Sequence, residues 1–203
     1  LTGLEYFAGI PSTLGGALTN NLGAWGQDIA GLVLWVKGFY VNQNNTFEQT
    51  QSNTTKAQKN KFKMVKLKQN KCKFEYRNSI FKANPNFIIT QAKLKLNRKN
   101  KAEIRNKITE TLNKKSATQP VDKPSAGSVF KRTHIIPAKL IDECGLKGKT
   151  VGDAQVSTKH AGFIVNLGES SSADVKTLIK QIENEIYMKY SAVLEKEIEF
   201  VEK

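Results

Sequence analysis

The stretch PSAGSVFKR, residues 124–132, places a glycine and a small hydroxyl residue directly before an apolar pair and then a basic pair. Gly127 can adopt backbone angles that other residues avoid, and the Ser128 hydroxyl can both donate and accept a hydrogen bond. The pattern predicts a tight turn that leads into a strand. Because most Gly-Ser pairs in loops only shape a turn, a catalytic interpretation of Ser128 needs support from the rest of the chain.

The length and the cysteines limit the class of protein. With 203 residues the chain can form one large domain or two small ones around a buried core. It starts at Leu1 within an apolar segment, which we interpret as the C-terminal portion of a longer protein. No apolar run approaches the ~18 residues of a membrane span, and no signal peptide is visible. Cys72 and Cys144 lack CxxC spacing, so we expect a reducing cytoplasm, no disulfide framework and no metal site.

The positive charge is concentrated in one part of the chain. Residues 51–115 hold 19 of the 32 Lys and Arg residues and three acidic residues, a formal charge of +16 that leaves −2 for the remainder. Three interpretations are open: a solvated surface of a protein rich in Lys and Asn, a positive field that steers a polyanionic substrate, or a nucleic-acid-binding face. We rank them in that order because no nucleic-acid-binding motif accompanies the charge.

The first half of the chain contains glycine-rich loops followed by alternating strand patterns. IPSTLGGA at 10–17 predicts a loop that enters a short helix, where backbone N–H groups could approach a phosphate. Its spacing matches neither the P-loop nor the Rossmann fingerprint. From periodicity and composition we predict a second loop at 20–26, strands at 31–36, 62–68 and 87–96, a loose excursion at 42–60, an amphipathic helix at 101–112 and a linker at 114–123.

The second half predicts a compact α/β unit. A short helix at 138–144 ends at Gly145, and a strand follows at 161–165. Ser171 with Asp174 predicts the start of a long helix, whose core positions repeat at helical spacing. These core positions are Val175, Leu178, Ile179, Ile182 and Ile186. A final strand is predicted around Ile198 and Phe200, with Glu197 and Glu199 on its solvent face.

Four segments, in order and over almost the whole chain, resemble the UDP-N-acetylenolpyruvoylglucosamine reductases, flavoenzymes of peptidoglycan precursor synthesis. The YRxSIFK motif at 76–82 and the AGSxFK motif at 126–131 are the most specific parts of the match. The segments are GLE at 3–5 with GIPSTLGGA at 9–17 and NNLGAWG at 20–26, CKFEYRNSIFK at 72–82, PSAGSVFKR at 124–132 with PAKLIDECGLKG at 137–148, and VGDAQVSTKHAGFIVN at 151–166 with LEKE at 194–197.

The resemblance implies an α+β fold and a reductase activity. Residues 1–118 would be the second subdomain of a two-subdomain FAD-binding domain, whose first half is absent from this chain. Residues 119–203 would be a small α/β substrate-binding domain whose last strand returns toward the active site. The implied reaction is the NADPH-dependent, FAD-mediated reduction of UDP-N-acetylglucosamine enolpyruvate to UDP-N-acetylmuramate. The implied enzyme is a cytoplasmic monomer with no membrane or nucleic-acid partner.

The resemblance also implies site residues. Arg77 matches the active-site arginine, Ser128 the serine proton donor and Glu197 the catalytic glutamate near the C-terminus. The cofactor-binding residues implied are Gly9, Ile10, Pro11, Ser12, Gly15, Gly16, Asn21, Gly23 and Ala24. The substrate-binding residues implied are Tyr76, Lys131, Arg132, Lys139, Gln155 and His160. For each of these the alternative is a structural or plain surface role, and His134 receives no role.

Three departures and two alternatives accompany the resemblance. Ser12 stands where the family usually has Gly, and Lys196 stands where it usually has Pro. With half of the FAD-binding domain absent, we expect the isolated chain to bind flavin weakly or not at all. One alternative is another FAD-linked oxidoreductase of this fold, which the joint presence of both motifs disfavours. The other is a non-catalytic basic module that uses residues 51–115 to bind nucleic acid or an acidic surface.

Overall fold

The computed structural model describes residues 1–41 and 64–201. The loop predicted at 42–60 lies outside the described residues, as do the first two residues of the strand predicted at 62–68. The chain divides into two compact units, Leu1–Leu112 and Asn113–Lys203. Helices and antiparallel sheets are combined, which confirms the predicted α+β class. Within the described ranges, no helix is both long and apolar enough to cross a membrane.

The first unit consists of short helical elements around a small sheet, followed by the greater part of a long helix. In chain order the elements are a 3-10 turn at Glu5–Phe7, α1 at Leu14–Thr19, β1 at Gly23–Ala24, β2 at Gln27–Asp28, a 3-10 turn at Ile29–Leu32, β3 at Val33–Tyr40, β4 at Val65–Lys68, a 3-10 turn at Gln69–Lys71, α2 at Ile80–Ala83, β5 at Phe87–Leu94 and α3 at Lys101–Thr118. The helix α3 continues past the predicted end at residue 112 into the predicted linker, because no proline or glycine occurs before Pro120.

The sheet of the first unit has one apolar and one basic face. β3 lies between β4 and β5, antiparallel to both. Val36 lies opposite Leu67 on one side and Ala92 on the other, and its side chain is fully buried in the core. Trp35, one residue earlier, lies opposite Lys68 and Lys93, so it points to the other face. The alternation of apolar residues and lysines in the sequence therefore corresponds to the two faces of this sheet.

Cys72 belongs to the apolar core of the first unit. It is fully buried, in the same cluster as Leu18, Val36 and Phe81. Burial raises the pKa of its thiol to about 11, because a thiolate would lose its hydration there. Cys72 therefore stays protonated at neutral pH and acts as a packing residue.

The second unit is a four-stranded antiparallel sheet with two helices. Its elements in chain order are β6 at Ser125–Ser128, α4 at Pro137–Glu143, β7 at Thr150–Val151, β8 at Ala154–Val156, β9 at Phe163–Asn166 and α5 at Ser172–Tyr190. The strand order is β6-β9-β8-β7. The predicted capping box is present, since the Ser171 hydroxyl accepts from the Asp174 N–H and the Asp174 carboxylate accepts from the Ser171 N–H. Four of the five predicted core positions of α5 are fully buried: Leu178, Ile179, Ile182 and Ile186.

The predicted final strand around Ile198 and Phe200 does not form. The chain makes one isolated antiparallel bridge there, between Phe130 and Lys196. Ile198 and Phe200 instead pack their side chains against the core of the second unit. Apolar alternation thus indicated which side chains are buried, but it could not supply the neighbouring backbone that a strand ladder requires.

Candidate active site

Arg77 lies in a tight turn of the first unit. The N–H of Glu75 donates to the Asn78 carbonyl at 3.0 Å, and the N–H of Asn78 donates back to the Glu75 carbonyl at 3.2 Å. Arg77 has φ 54°, in the left-handed region, which costs a residue with a side chain roughly 1–2 kcal/mol. Such strain persists only where the surroundings hold the residue, and it is frequent at functional sites.

The guanidinium of Arg77 rests against the backbone of β1. Its Nη2 donates to the Gly23 carbonyl oxygen at 3.0 Å, and the side chain is half-buried. A Cβ at position 23 would lie 2.8 Å from Arg77 Nη1, so only glycine leaves room for the guanidinium in this position. The neighbouring Tyr76 is exposed, and its ring centroid lies 5.1 Å from Arg77 Cζ. The geometry thus gives Gly23 a role in seating Arg77.

Two buried polar residues, Asn21 and Ser79, tie the Arg77 turn to the glycine-rich segment. The Asn21 side chain donates from Nδ2 to the Glu75 carbonyl at 2.9 Å and accepts at Oδ1 from the Ala30 N–H at 3.2 Å. The Ser79 hydroxyl donates to the Thr19 carbonyl at 2.7 Å and caps α2 by accepting from the Phe81 N–H. Sequence reasoning missed both of these roles, because nothing local distinguishes a buried Asn or Ser from an exposed one.

The glycine-rich segment presents an exposed loop beside a cavity. Gly9, Pro11 and Ser12 are exposed. A Cβ at Gly15 or Gly16 would come no closer than 3.4 Å to a neighbouring side chain, so packing does not require glycine there. A cavity of about 370 Å³ next to this loop is lined by Ile10, Ser12 and apolar side chains of α1 and α3. Glu5 also lines it, and its Oε1 is buried with no hydrogen-bond partner among the described residues. This set of groups fits a ligand that combines an apolar body with an N–H or O–H donor.

Ser128 ends a bulged strand of the second unit, whereas the sequence predicted a tight turn before a strand. Ser125 pairs with Val165 and Ser128 with Phe163, so three steps along β6 match two steps along β9. Gly127 accommodates the extra residue with φ 87°, a conformation that favours glycine. The bulge changes the direction of the Ser128 side chain relative to a regular strand, and this residue is half-exposed. Bulges are frequent beside active sites for this reason.

Glu197 lies beside the residues that follow Ser128. Its N–H donates to the Val129 carbonyl at 2.8 Å, and the Lys131 N–H donates to the Glu195 carbonyl at 2.7 Å. These two backbone hydrogen bonds flank the bridge between Phe130 and Lys196. The fold therefore brings the glutamate next to the strand that carries the serine, although the two are 69 positions apart in the sequence.

The predicted substrate-binding residues of the second unit differ in their contacts and in their exposure to solvent. Lys131 pairs with Glu195, and Lys139 lies on α4 with its Nζ 3.7 Å from the Glu143 carboxylate. Gln155 lies on β8 and donates to the Gly148 carbonyl at 3.4 Å. Arg132 is exposed.

His160 lies in the turn between β8 and β9. Its Nδ1 accepts from the Gly162 N–H at 3.1 Å, and its ring meets Phe163 edge-on with centroids 5.0 Å apart. Burial lowers the pKa of His160 and so favours the neutral imidazole. Because Nδ1 accepts this bond, the neutral ring carries its proton on Nε2 and can donate from there.

Comparison with known proteins identifies the second unit. The sequence profile of "UDP-N-acetylenolpyruvoylglucosamine reductase, C-terminal domain" matches residues 119–201. Residues 119–201 therefore belong to the C-terminal domain family of these reductases. The bulged Ser128 strand, His160 and Glu197 all lie within that reductase domain.

The similarity to these reductases extends to the rest of the chain. The chain is 39% identical over 201 residues to the reductase of Pseudothermotoga lettingae and equally identical over the same length to that of Fervidobacterium nodosum. Each alignment covers 98% of this chain, and 63% and 59% of the relatives. The crystal structure of the reductase (MurB) from Thermus caldophilus matches with a TM-score of 0.76 and 31% identity, over 98% of this chain and 64% of that one. The chain thus spans about three fifths of the length of the curated relatives it matches.

Proposed function

We propose that this chain is part of an enzyme that reduces UDP-N-acetylglucosamine enolpyruvate to UDP-N-acetylmuramate, with FAD as its cofactor and NADPH as the reductant. The observation that carries the proposal is that the fold constrains three residues of the expected chemistry. Arg77 is seated on the Gly23 carbonyl, Ser128 is redirected by a bulge, and Glu197 is tethered beside that strand. Similarity over 98% of the chain to reductases of this name supports it.

The proposed roles follow from the charge that develops in the reaction. Reduced flavin, when bound, supplies a hydride to one carbon of the enolpyruvyl double bond. The guanidinium of Arg77 then binds the substrate carboxylate, into which the negative charge of the neighbouring carbon is delocalised. Arginine suits this role because its guanidinium cannot lose its proton.

Completion of the reduction requires a proton on the carbon that holds the negative charge. The Ser128 hydroxyl donates that proton from Oγ and is afterwards reprotonated by solvent. Glu197, half-buried beside the serine strand, stabilises the charge that develops. Serine is a weak acid in water, so its transfer depends on a strongly basic carbon acceptor and on a hydroxyl held in place.

The glycine-rich segment is the proposed FAD contact. Gly9, Ile10, Pro11 and Ser12 form the loop beside the cavity, and Gly15 and Gly16 leave backbone accessible at the start of α1. The buried Glu5 Oε1 could accept a hydrogen bond from a ligand N–H or O–H. These features fit a flavin, which is apolar over much of its surface and carries both donors and acceptors.

The remaining parts of the proposal concern the substrate and the setting of the enzyme. Lys131, Arg132 and Lys139 are proposed partners of the substrate diphosphate, with Tyr76, Gln155 and His160 as further substrate contacts. We further propose a monomeric enzyme in the cytoplasm. The two cysteines are free, Cys72 buried and Cys144 half-buried, which fits a reducing compartment.

A spectroscopic titration of the purified full-length protein tests the proposal. We expect a bound flavin whose visible absorbance is lost on addition of NADPH and returns on anaerobic addition of UDP-N-acetylglucosamine enolpyruvate. UDP-N-acetylglucosamine, which lacks the double bond, is the matched control and should not restore the absorbance. A full-length protein without flavin, or one whose reduced flavin is not reoxidised by the enolpyruvyl substrate, would contradict the proposed function.

The basic face of the first sheet favours one second candidate, a polyanion-binding module. Lys66 and Lys37 lie directly opposite each other in the register, where like charges destabilise a sheet. Their Nζ atoms lie 4.6 and 5.5 Å from the Trp35 ring centroid, an arrangement that offsets part of this repulsion. None of the three strands contains Asp or Glu. Within these three strands, every ionised side chain of the sheet is therefore positive.

The second candidate predicts salt-dependent retention of a single-stranded oligonucleotide. Replacing both Lys66 and Lys68 with Gln should reduce the affinity at least tenfold and lower the salt dependence, because each lysine that contacts a phosphate releases counterions. Replacing two lysines of α5, Lys176 and Lys180, with Gln gives a control of equal charge. Equal loss in both double variants, or no binding at physiological salt, would reject a specific role for this face.

A further inference from the structure

We propose that Asn21 is a positioning residue that fixes the Arg77 turn, in place of the cofactor contact expected for it from the sequence. The proposal rests on the proposed function, in which Arg77 binds the substrate carboxylate. Asn21 lies two residues after the end of α1 and is only 4% exposed. Its amide group is therefore buried inside the protein.

The Asn21 amide joins three segments that are distant in the sequence. It holds the Glu75 carbonyl, 54 positions away, and the Ala30 N–H in the 3-10 turn before β3. A backbone carbonyl can only accept and a backbone N–H can only donate, so the orientation of the amide is unambiguous. Among side chains of this size, only an amide satisfies both partners. The residue also has φ 43°, which Asn tolerates better than most residues.

The same short segment also seats the guanidinium. Gly23, two residues after Asn21, provides the carbonyl that accepts from Arg77 Nη2. Between them, the Leu22 N–H donates to the Ala17 carbonyl at 2.7 Å, and the Leu22 carbonyl accepts from the Ile29 N–H at 2.9 Å. Residues 21–23 are thus fixed on both sides. They hold the backbone of the Arg77 turn at one point and the tip of the side chain at another.

This arrangement limits the freedom of a long side chain in the absence of substrate. An arginine free to rotate loses entropy when it binds a carboxylate, whereas one that is already oriented loses less. A shift of about 1 Å in a group that contacts the reacting substrate can reduce the rate about 100-fold. Asn21 therefore acts on the reaction through Arg77, without contact with the substrate.

The substitution Asn21→Asp isolates the contact. Aspartate has the same shape, tolerates positive φ and keeps the acceptor for the Ala30 N–H, but it places an oxygen against the Glu75 carbonyl. In the full-length protein we expect kcat/KM for the enolpyruvyl substrate to fall 10- to 100-fold, while the rate at which NADPH reduces the flavin changes less than twofold. Gly23→Ala, which leaves the Asn21 bonds intact and displaces the guanidinium, should give the same pattern.

Two comparisons distinguish positioning from general destabilisation. Asn84→Asp is the matched control, since Asn84 Nδ2 also donates to a backbone carbonyl, that of Ile80 at 2.7 Å. It should leave kcat/KM within twofold. In the Arg77→Gln background, Asn21→Asp should cause little further loss, because the residue that it positions is already gone. Additive losses, or a loss of flavin reduction equal to the loss of turnover, would overturn the proposal.

Hydrogen exchange tests the same contact without any catalytic readout. In Asn21→Asp the amides of Glu75 and Asn78, which bond each other across the turn, should exchange at least tenfold faster, while amides of α5 in the second unit should be unchanged. If the wild-type protein proves to lack reductase activity but this selective increase is found, the proposed function is wrong. The structural part of the proposal, that Asn21 fixes the Arg77 turn, is then still supported. Unchanged exchange at Glu75 and Asn78 would overturn the positioning role directly.

Discussion

Replacing Ser128 with alanine should abolish the return of flavin absorbance on addition of the enolpyruvyl substrate, while NADPH continues to reduce the flavin at nearly the wild-type rate. The two half-reactions separate because only the second requires a proton on carbon. General acid catalysis contributes roughly 10²–10⁴-fold, so we expect at least a 100-fold slower oxidative half-reaction. Stopped-flow absorbance on the full-length protein, with each half-reaction followed alone, measures both rates.

Ser172→Ala is the control for this experiment, because Ser172 is an exposed hydroxyl in the first turn of α5. It should leave both half-reactions unchanged. Equal slowing of both half-reactions in Ser128→Ala would show that the serine supports the fold or the flavin rather than proton transfer. An oxidative half-reaction at the wild-type rate would remove Ser128 from the mechanism.

Replacing Gly38 with alanine should destabilise the first unit by roughly 3 kcal/mol, the upper part of the range for overpacking a core. Gly38 is buried in the middle of β3, where a Cβ would lie 2.2 Å from the Ile88 carbonyl oxygen and 2.5 Å from the Phe87 ring. Both neighbours belong to the paired strand β5, and the Ile88 carbonyl, as part of its backbone, cannot move away without disturbing the ladder. The effect is therefore expected on stability and not on chemistry.

Tryptophan fluorescence during urea unfolding measures the Gly38 effect in the appropriate unit, since both tryptophans, Trp25 and Trp35, lie in the first one. Gly31→Ala is the matched control. Gly31 has no positive φ, and the nearest atom to an added Cβ, Asp28 Oδ1, lies 3.9 Å away. We expect its unfolding midpoint to change little. A Gly38→Ala midpoint equal to wild type would mean that β3 and β5 can separate at low cost.

Local signals in the sequence were sufficient for the helix α5. Its start depends on Ser171 and Asp174, three residues apart, and its core face depends on a repeat within one helix. Both features are complete within about five turns of chain, so no information from elsewhere is needed. The basic and apolar faces of β4 and β5 were predictable for the same reason, since alternation along a strand is local.

Features that depend on distant partners were not predictable. The bulge at Gly127 exists only relative to β9, and a sequence pattern of small residues fits a turn equally well. The prediction of a final strand was wrong because its alternating apolar side chains pack against the core without pairing in a sheet. The proposed positioning role of Asn21 depends on two partners in other segments, so no local pattern around residue 21 could indicate it. The roles of the three catalytic candidates came from resemblance, since Arg, Ser and Glu in isolation are more often surface residues.

Because Cys72 is buried, chemical labelling of its thiol can report how often the first unit opens. Its protonated thiol lies in the core of the first unit, while the half-buried Cys144 lies in the second. Thiol reagents require a thiolate and access, and Cys72 offers neither in the native state. Any label found on Cys72 has therefore entered through a transient opening of the first unit. The labelling rate at this position, followed by mass spectrometry, gives the population of that opened state under native conditions without a denaturant.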